Sequence, residues 1–404
     1  MVDLPSLFEL DALAVDSVSQ VPMRRFAWHT LSETPGRPFV ALFGPRGAGK
    51  TVLMRQLRAE MPRALYISAD ALEGTGDLFE IASRLHRDYG IENLCLDEIH
   101  FVPNYAEQLK RIYDFLPLRL WFTSSVALSL TATGWDLSRR VVRMTLPPFS
   151  YREYLRFTEG IAVAPLRLRE CLLGSVPPEY LRLRGRFRSY VEGGLYPFVL
   201  ESGLQYQLFE HVLEKVVTHD IPGFDPELTQ ADIEGLRKTV RFIGRSAVDG
   251  INYSTVSKHI GVTKYKAEKY LAYLERSFIA RRIFPAGTRV TKEPKVLLQL
   301  PYRLLYQSYD DAVGALREEF TVCAVEQHQV PMRYAKSTRG AKTPDYLIDL
   351  DGTPVVVEVG GPGKGRSQFK EVDYEQKVIV HDGEPSPVGS SGVRRVPLHV
   401  LGFA

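Results

Sequence analysis

Residues 44–51 read Gly44-Pro45-Arg46-Gly47-Ala48-Gly49-Lys50-Thr51. They satisfy G-x-x-x-x-G-K-[ST] at every position. An apolar run, FVALF (39–43), precedes them, and TVLMRQLRAEM (51–61) follows with helical composition. The spacing has a chemical reason. Glycines let successive backbone N–H groups turn inward around a β-phosphate, and the helix beginning near Gly49 aims its positive end at the same anion. Lys50 would reach the β- and γ-phosphates, and the Thr51 hydroxyl would ligate Mg²⁺. The stretch therefore predicts ATP and Mg²⁺ as cofactors, held by Gly44, Pro45, Arg46, Gly47, Ala48, Gly49, Lys50 and Thr51.

Working outward, four further apolar runs follow: ALYISAD (64–70), NLCLDEI (93–99), LRLWFTSS (118–125) and RVVRMTLPP (140–148). Helix-length segments such as 49–60 and 104–115 separate the first four runs, which predicts a parallel sheet covered on both faces. The third run ends in Asp97-Glu98. Asp97 is placed to hold Mg²⁺ and Glu98 to polarise the attacking water as general base. A glutamate directly after the aspartate, with one strand intervening in sequence after the P-loop, marks the additional-strand, catalytic-glutamate (ASCE) division of P-loop ATPases. The fourth run ends in Thr123-Ser124-Ser125, where Ser124 would sense the γ-phosphate. Arg140, or its neighbour Arg139, would serve as a finger towards a neighbouring subunit, which would make the assembly a homo-oligomer. His100 reads as an ordinary loop histidine.

Composition restricts the classes. The 404 residues are 45% hydrophobic and 25% charged, as in ordinary globular proteins, and long enough for two or three domains. Lys plus Arg is 51 and Asp plus Glu is 48, so the net charge of +3 selects no partner. The three cysteines, Cys95, Cys171 and Cys323, are far apart and form no CxxC pair, which argues against zinc knuckles and disulfide frameworks. The acidic start lacks a signal-peptide pattern, and no uncharged apolar stretch of about 18 residues occurs, so a cytoplasmic protein without membrane attachment is expected.

Together with the P-loop, the segments LYISAD, LCLDEIHFVPNYAEQLKRIYD, WFTSS, LPPFSYREYL and GGLYPFVL follow one another in an order that resembles prokaryotic AAA-type ATPases carrying a C-terminal domain of the DUF4143 or archaeal-ATPase kind. The resemblance covers nearly the whole chain. It implies an α/β fold with an ASCE P-loop core over 1–150, a helical lid over 151–225, a winged-helix segment over 226–290, and a nuclease-like α/β domain of the PD-(D/E)xK kind over 291–404.

Two of these segments carry their own signals. Residues 252–285 contain a helical TVSKHI, the turn Gly261-Val262-Thr263, and a second helical stretch KYKAEKYLAYLERS, which fits a helix-turn-helix entering a wing. Residues 258–296 hold ten Lys or Arg against three Glu, an excess of seven. Lys264, Lys266 and Lys269 would meet a DNA phosphate backbone. In the C-terminal segment, Asp345 and Glu358 flank a hairpin turning at Asp351-Gly352, and Glu318 on the preceding helix would reach the same place. Such carboxylates suit a Mg²⁺-dependent nuclease. The pattern departs at Gly360, where a lysine is expected, which points to an inactive or DNA-binding fold remnant unless Lys364 or Lys370 supplies the ammonium from a displaced position.

The readings that follow are an ATP-hydrolysing enzyme acting on DNA as a motor or remodeller of branched or broken strands, a nucleotide switch or scaffold for a protein partner, and an ATP-regulated nuclease.

Overall fold

The computed structural model describes residues 4–72, 77–126, 137–286, 293–335, 344–361, 366–369, 373–383 and 392–404. The chain divides into two compact units, one of residues 1–148 with 218–227 and one of 149–217 with 228–404. The change of unit after Pro148 lies two residues from the boundary expected at 150. Residues 218–227 belong with the P-loop, although most of them fall in the span expected as a helical lid.

The first unit contains β1 (Phe39–Phe43), β2 (Ala64–Ser68), β3 (Asn93–Asp97), β4 (Arg119–Ser124) and β5 (Val141–Thr145), paired in the order β2-β3-β4-β1-β5. All four pairings are parallel. This is the sheet predicted from the apolar runs. β1 is buried at every residue, as a strand covered on both faces must be, whereas β5 lies at the edge and is exposed at Val142, Arg143 and Thr145. The strand lying in space between the P-loop strand β1 and the Asp97 strand β3 is β4. β2, which intervenes between them in sequence, occupies the far edge.

Packing against this sheet reaches back to the amino-terminal residues. Leu53, Met54 and Leu57 of the helix Lys50–Glu60 meet Val40, Leu42, Tyr66, Cys95 and Trp121 in one apolar cluster, which Ala14 joins from the helix Leu4–Ser19. Asp11 on that first helix is buried. It accepts two hydrogen bonds from the Arg58 guanidinium, at 2.8 and 2.6 Å, and one from the Tyr66 backbone N–H at 2.7 Å.

The second unit holds the helices Gln230–Arg245, Tyr253–Ile260, Lys264–Arg276 and Tyr309–Glu326, the hairpin of β6 (Ala280–Ile283) and β7 (Lys295–Leu298), and a second sheet. That sheet runs β12-β11-β10-β9-β8, from β8 (Met332–Tyr334), β9 (Tyr346–Leu350), β10 (Thr353–Gly360), β11 (Gln376–His381) and β12 (Val393–Pro397). β8, β9 and β10 pair antiparallel, and β10, β11 and β12 pair parallel. The β9–β10 turn falls at Asp351-Gly352 as predicted, with both residues at positive φ. β12 ends at Pro397, and Leu398–Phe403 coil into a short 3₁₀ helix.

Two polar knots hold the helices of this unit. Arg303 and Glu319 are fully buried and paired at 2.7 Å, and Arg303 also donates to the carbonyls of Ile243 and Ser246 at 3.0 and 2.7 Å. Asp232 caps the helix Gln230–Arg245 in a reciprocal box with Thr229, and it accepts from Lys266 Nζ at 2.8 Å and Tyr270 Oη at 2.7 Å.

These knots make two predictions. Arg303→Met should cost about 3–5 kcal/mol, because it strands a buried carboxylate, as chemical denaturation would show. The hydrogen bond from Lys266, with those from Thr229 and Tyr270, holds the Asp232 carboxyl well below the usual carboxylate range. Its folded pKa is depressed, so its stabilisation is complete above the unfolded value near 3.9 and is lost as pH falls towards the folded one. The melting-temperature gap between wild type and Asp232→Asn should therefore be widest at about pH 6 and shrink below about pH 4.

Candidate functional site

Loops at the carboxyl edge of the parallel sheet build the site. Gly44 leaves β1 where a side chain has no room: a Cβ there would lie 2.2 Å from the Leu146 carbonyl oxygen. Gly49, at φ 89°, supplies the left-handed turn from which the helix Lys50–Glu60 starts. Arg25, which sequence reading missed, is buried and donates to the carbonyls of Ala48 at 2.6 Å and Pro147 at 3.0 Å, fastening the loop to the chain leaving β5.

Lys50 is buried in the loop and its Nζ donates to the Gly44 and Pro45 carbonyls at 2.8 and 3.1 Å. Burial pulls its ammonium pKa below the ordinary lysine value, against the opposing pull of Glu98 and Asp97. The loop has therefore gathered a desolvated cation at the amino end of a helix, the chemistry that suits an anion. Thr51 lies in the first turn of the same helix.

The two acids stand side by side at the end of β3. Asp97 is buried and accepts from Tyr66 Oη at 2.8 Å and from the Thr123 hydroxyl. Thr123 Oγ1 in turn accepts the Glu98 backbone N–H at 2.9 Å. The polar end of β4 thus orients both acids, and the residue doing so is Thr123. Ser124, the residue singled out from sequence, meets His100 Nδ1 at 3.2 Å.

Glu98 sits at φ 53°, a left-handed conformation that costs a non-glycine residue energy and aims its side chain out of the strand line. Its Oε2 accepts from the Ser125 N–H at 3.1 Å and lies 3.3 Å from His100 Nδ1, and its Oε1 is 4.0 Å from Arg46 Nη1. Burial lowers the His100 pKa, with Glu98 opposing. His100, read from sequence as an ordinary loop histidine, lies beside Ser124 and Glu98 at the carboxyl edge of the sheet.

Arg46 carries the least expected feature. Its Nε and Nη2 donate to Asp220 Oδ2 and Oδ1, both at 2.6 Å, and Ser125 Oγ donates to Asp220 Oδ2 at 3.2 Å. Asp220 is buried and lies 174 residues away in the chain. No local pattern announces such a partner.

Arg140 is elsewhere. It precedes β5, and the Phe39 N–H that opens β1 bonds its carbonyl, which places it at the amino edge of the sheet, opposite the P-loop. Its guanidinium holds Asp114 at 2.9 Å. Within this chain it is a surface ion pair and does not reach the nucleotide edge.

Thr51 and Asp97 offer hydroxyl and carboxylate oxygens, the hard donors that Mg²⁺ takes, beside a loop built for phosphate. A Mg²⁺ held by Thr51 and Asp97 would supply positive charge against the phosphates.

In the second unit the structure brings together Asp249, Glu318 and Asp345, whose carboxylate oxygens lie within 4.8 Å of one another. Glu358, on β10, does not join that set. Lys364 and Lys370 lie outside the described residues. The ammonium comes instead from Lys295 of β7, with Nζ at 2.5 Å from Glu318, 3.0 Å from Asp249 and 4.0 Å from Asp345. Burial works against the charged Lys295, and Glu318, Asp345 and Asp249 outweigh it, so its pKa rises. Lys295 and Asp249 were missed because neither stands in the expected motif.

The helix-turn-helix residues fold as the turn chemistry predicts. Asn252 and Thr263 cap the two helices, and Gly261 turns between them at φ 72°. Their charges are less available than a count suggests. Lys264 pairs with Glu293 and Lys266 with Asp232, while Arg281, Arg282 and Lys295 pair with Glu326, Glu275 and Glu318. Lys269 lies over the Tyr273 ring. Among the described residues, no helix is long and apolar enough to cross a membrane.

Residues 36–155 match a family described as an AAA domain, and residues 184–299 match a domain of unknown function, DUF8612. The second match takes the place of the DUF4143 assignment that the resemblance implied. An uncharacterized protein of Methanocaldococcus jannaschii is 26% identical over 298 residues, 65% of this chain and 61% of its own length. The Holliday junction branch migration complex subunit RuvB 1 of a Synechococcus species is 32% identical over 148 residues, 33% of this chain and 38% of its own. The chain thus spans less than two thirds of either relative. Among solved structures, the Aeropyrum pernix ORC1 protein in complex with DNA is 15% identical, with 75% of this chain and 95% of that one covered at a TM-score of 0.33. AMPPCP-bound DnaA from Aquifex aeolicus is also 15% identical, with 62% and 84% covered at a TM-score of 0.24. The strand order and the loop over 44–51 thus lie within a stretch, residues 36–155, that matches the AAA domain family.

Proposed function

We propose that the chain is a Mg²⁺-dependent ATPase in which Gly44–Thr51 cradle the phosphates, Thr51 and Asp97 hold the metal, and Glu98 activates water. The observation that carries this is the convergence of buried Lys50, Asp97 oriented by Thr123 and Tyr66, and Glu98 held by Ser125 at one edge of one sheet. Lys50 exchanges its loop carbonyls for β- and γ-phosphate oxygens. Glu98 takes a proton from the attacking water, and the Ser125 N–H keeps its carboxylate aimed.

We infer further that the ATPase acts on DNA through a winged-helix segment formed by the helices Tyr253–Ile260 and Lys264–Arg276 with the β6–β7 hairpin. The exposed Lys264, Tyr265 and Lys266 at the start of the second helix support this, as does the 148-residue likeness to a subunit named for Holliday junction branch migration. A second reading, a nucleotide switch or scaffold for a protein partner, is favoured by the ion pairs that already occupy five cations of the basic run. A homo-oligomer suits either reading.

Nucleotide binding and turnover test the site. Lys50→Ala should abolish tight ATP binding. Glu98→Gln should bind ATP and fail to hydrolyse it, and wild-type turnover in that variant would overturn the base assignment. Adding branched, single-stranded or duplex DNA separates the readings of purpose. Stimulation by one form, weakening steeply with salt, supports the DNA reading, and turnover indifferent to all three supports the protein-partner switch. Cleavage of the same DNA that requires Mg²⁺ and disappears in Asp345→Ala would make the chain an ATP-regulated nuclease.

A further inference from the structure

The pair Arg46–Asp220 has a geometry that the chemistry of hydrolysis leaves unexplained. Arg46 stands inside the P-loop and spends both arms of its guanidinium fork on Asp220. Asp220 also accepts from Ser125 Oγ, and Ser125 N–H bonds Glu98, which itself lies 4.0 Å from Arg46. Arg46, Asp220, Ser125 and Glu98 therefore close a ring beside the residue that would face the γ-phosphate. A carboxylate held in this fork presents two oxygens to a guanidinium, as a terminal phosphate does.

We propose that Asp220 is the counter-ion which Arg46 exchanges for the γ-phosphate of ATP, making this pair a determinant of ATP over ADP and the segment Thr218–Glu227 a reporter of nucleotide state. The proposal rests on the ATPase reading above. ADP has no γ-phosphate and leaves the pair closed. ATP brings negative charge to the same guanidinium, next to a buried carboxylate that cannot stay there unpaired at low cost. Arg46 turns to the phosphate and the segment carrying Asp220 loosens. That segment belongs to the P-loop unit, while the chain on either side of it, 149–217 and 228–404, belongs to the other unit. A change at Asp220 is thus passed along the backbone in both directions.

Two measurements on the full chain test this. In the first, ATP and ADP affinities with Mg²⁺ are compared for wild type, Asp220→Asn and Arg46→Met. Asp220→Asn should tighten ATP about tenfold relative to ADP, the loss of one competing charge-assisted contact, and Arg46→Met should weaken ATP more than ADP. The second needs no variant: hydrogen exchange of backbone amides in 218–224 should be faster with AMPPNP bound than with ADP bound. Equal shifts for the two nucleotides in Asp220→Asn, or identical exchange of the segment in the two nucleotide states, would overturn the exchange while leaving the ATPase site standing. A wild-type protein that binds neither nucleotide would overturn both readings.

Discussion

The carboxyl edge of the ATPase sheet depends on close approach at Gly44. Three strands deliver chain to one place: β1 ends at Phe43, β4 ends beside it, and β5 returns past it at Leu146. The Leu146 N–H bonds the Phe43 carbonyl at 2.7 Å, so the two chains touch where the P-loop begins. Any Cβ at Gly44 would drive the Leu146 carbonyl away, and with it Pro147 and Pro148, whose carbonyls Arg25 uses to anchor the loop at Ala48. The loop's shape is therefore set before any phosphate arrives, as binding by fixed backbone amides requires.

Much of this unit is legible in sequence because it is written locally. A strand buried on both faces must be continuously apolar, and FVALF, ALYIS, NLCLD and RLWFTS are nearly so. The loop's glycines answer a steric demand at fixed spacing. The helix-turn-helix is equally readable, since Asn252, Gly261 and Thr263 sit where caps and a left-handed turn are needed. The missed residues are those whose meaning is a distant partner. Asp220 finds Arg46 across 174 positions, Asp11 finds Arg58 across 47, and Lys295 finds Glu318 across 23. A single charged residue has no periodicity, so nothing near it reveals its partner. The helix Leu4–Ser19 carries the same kind of signal, since Asp11 on it is buried against Arg58.

The same blindness explains the basic run. Counting charge along residues 258–296 treats each as if it faced solvent. Folding brings Asp232, Asp249, Glu318, Glu326 and Asp345 to it from outside the run, and Glu275 and Glu293 from within. Local excess charge is a property of sequence, while the potential a polyanion meets is a property of surface. Cations paired at exposed positions still attract phosphate, because such pairs are weak and exchange partners readily. Lys264 is of that kind, whereas Lys266 is tied to the buried Asp232 and Lys295 is itself buried.

That distinction, between pairs that can exchange and pairs that cannot, also separates two arginine–carboxylate pairs, Arg303–Glu319 and Arg46–Asp220. Arg303 and Glu319 are both wholly out of water, and the guanidinium is further engaged by helix-end carbonyls. Any newcomer would have to displace several partners at once, so the pair acts as a rivet between helices. Arg46 keeps 15% of its side chain exposed while Asp220 keeps 1%. The arginine faces the open edge where phosphate would arrive, and the carboxylate lies behind it. A pair built that way is asymmetric: the cation can reach a second anion and the carboxylate cannot reach a second cation without moving its backbone. The asymmetry suits a contact that changes with occupancy, as the symmetric burial of Arg303 and Glu319 suits one that does not.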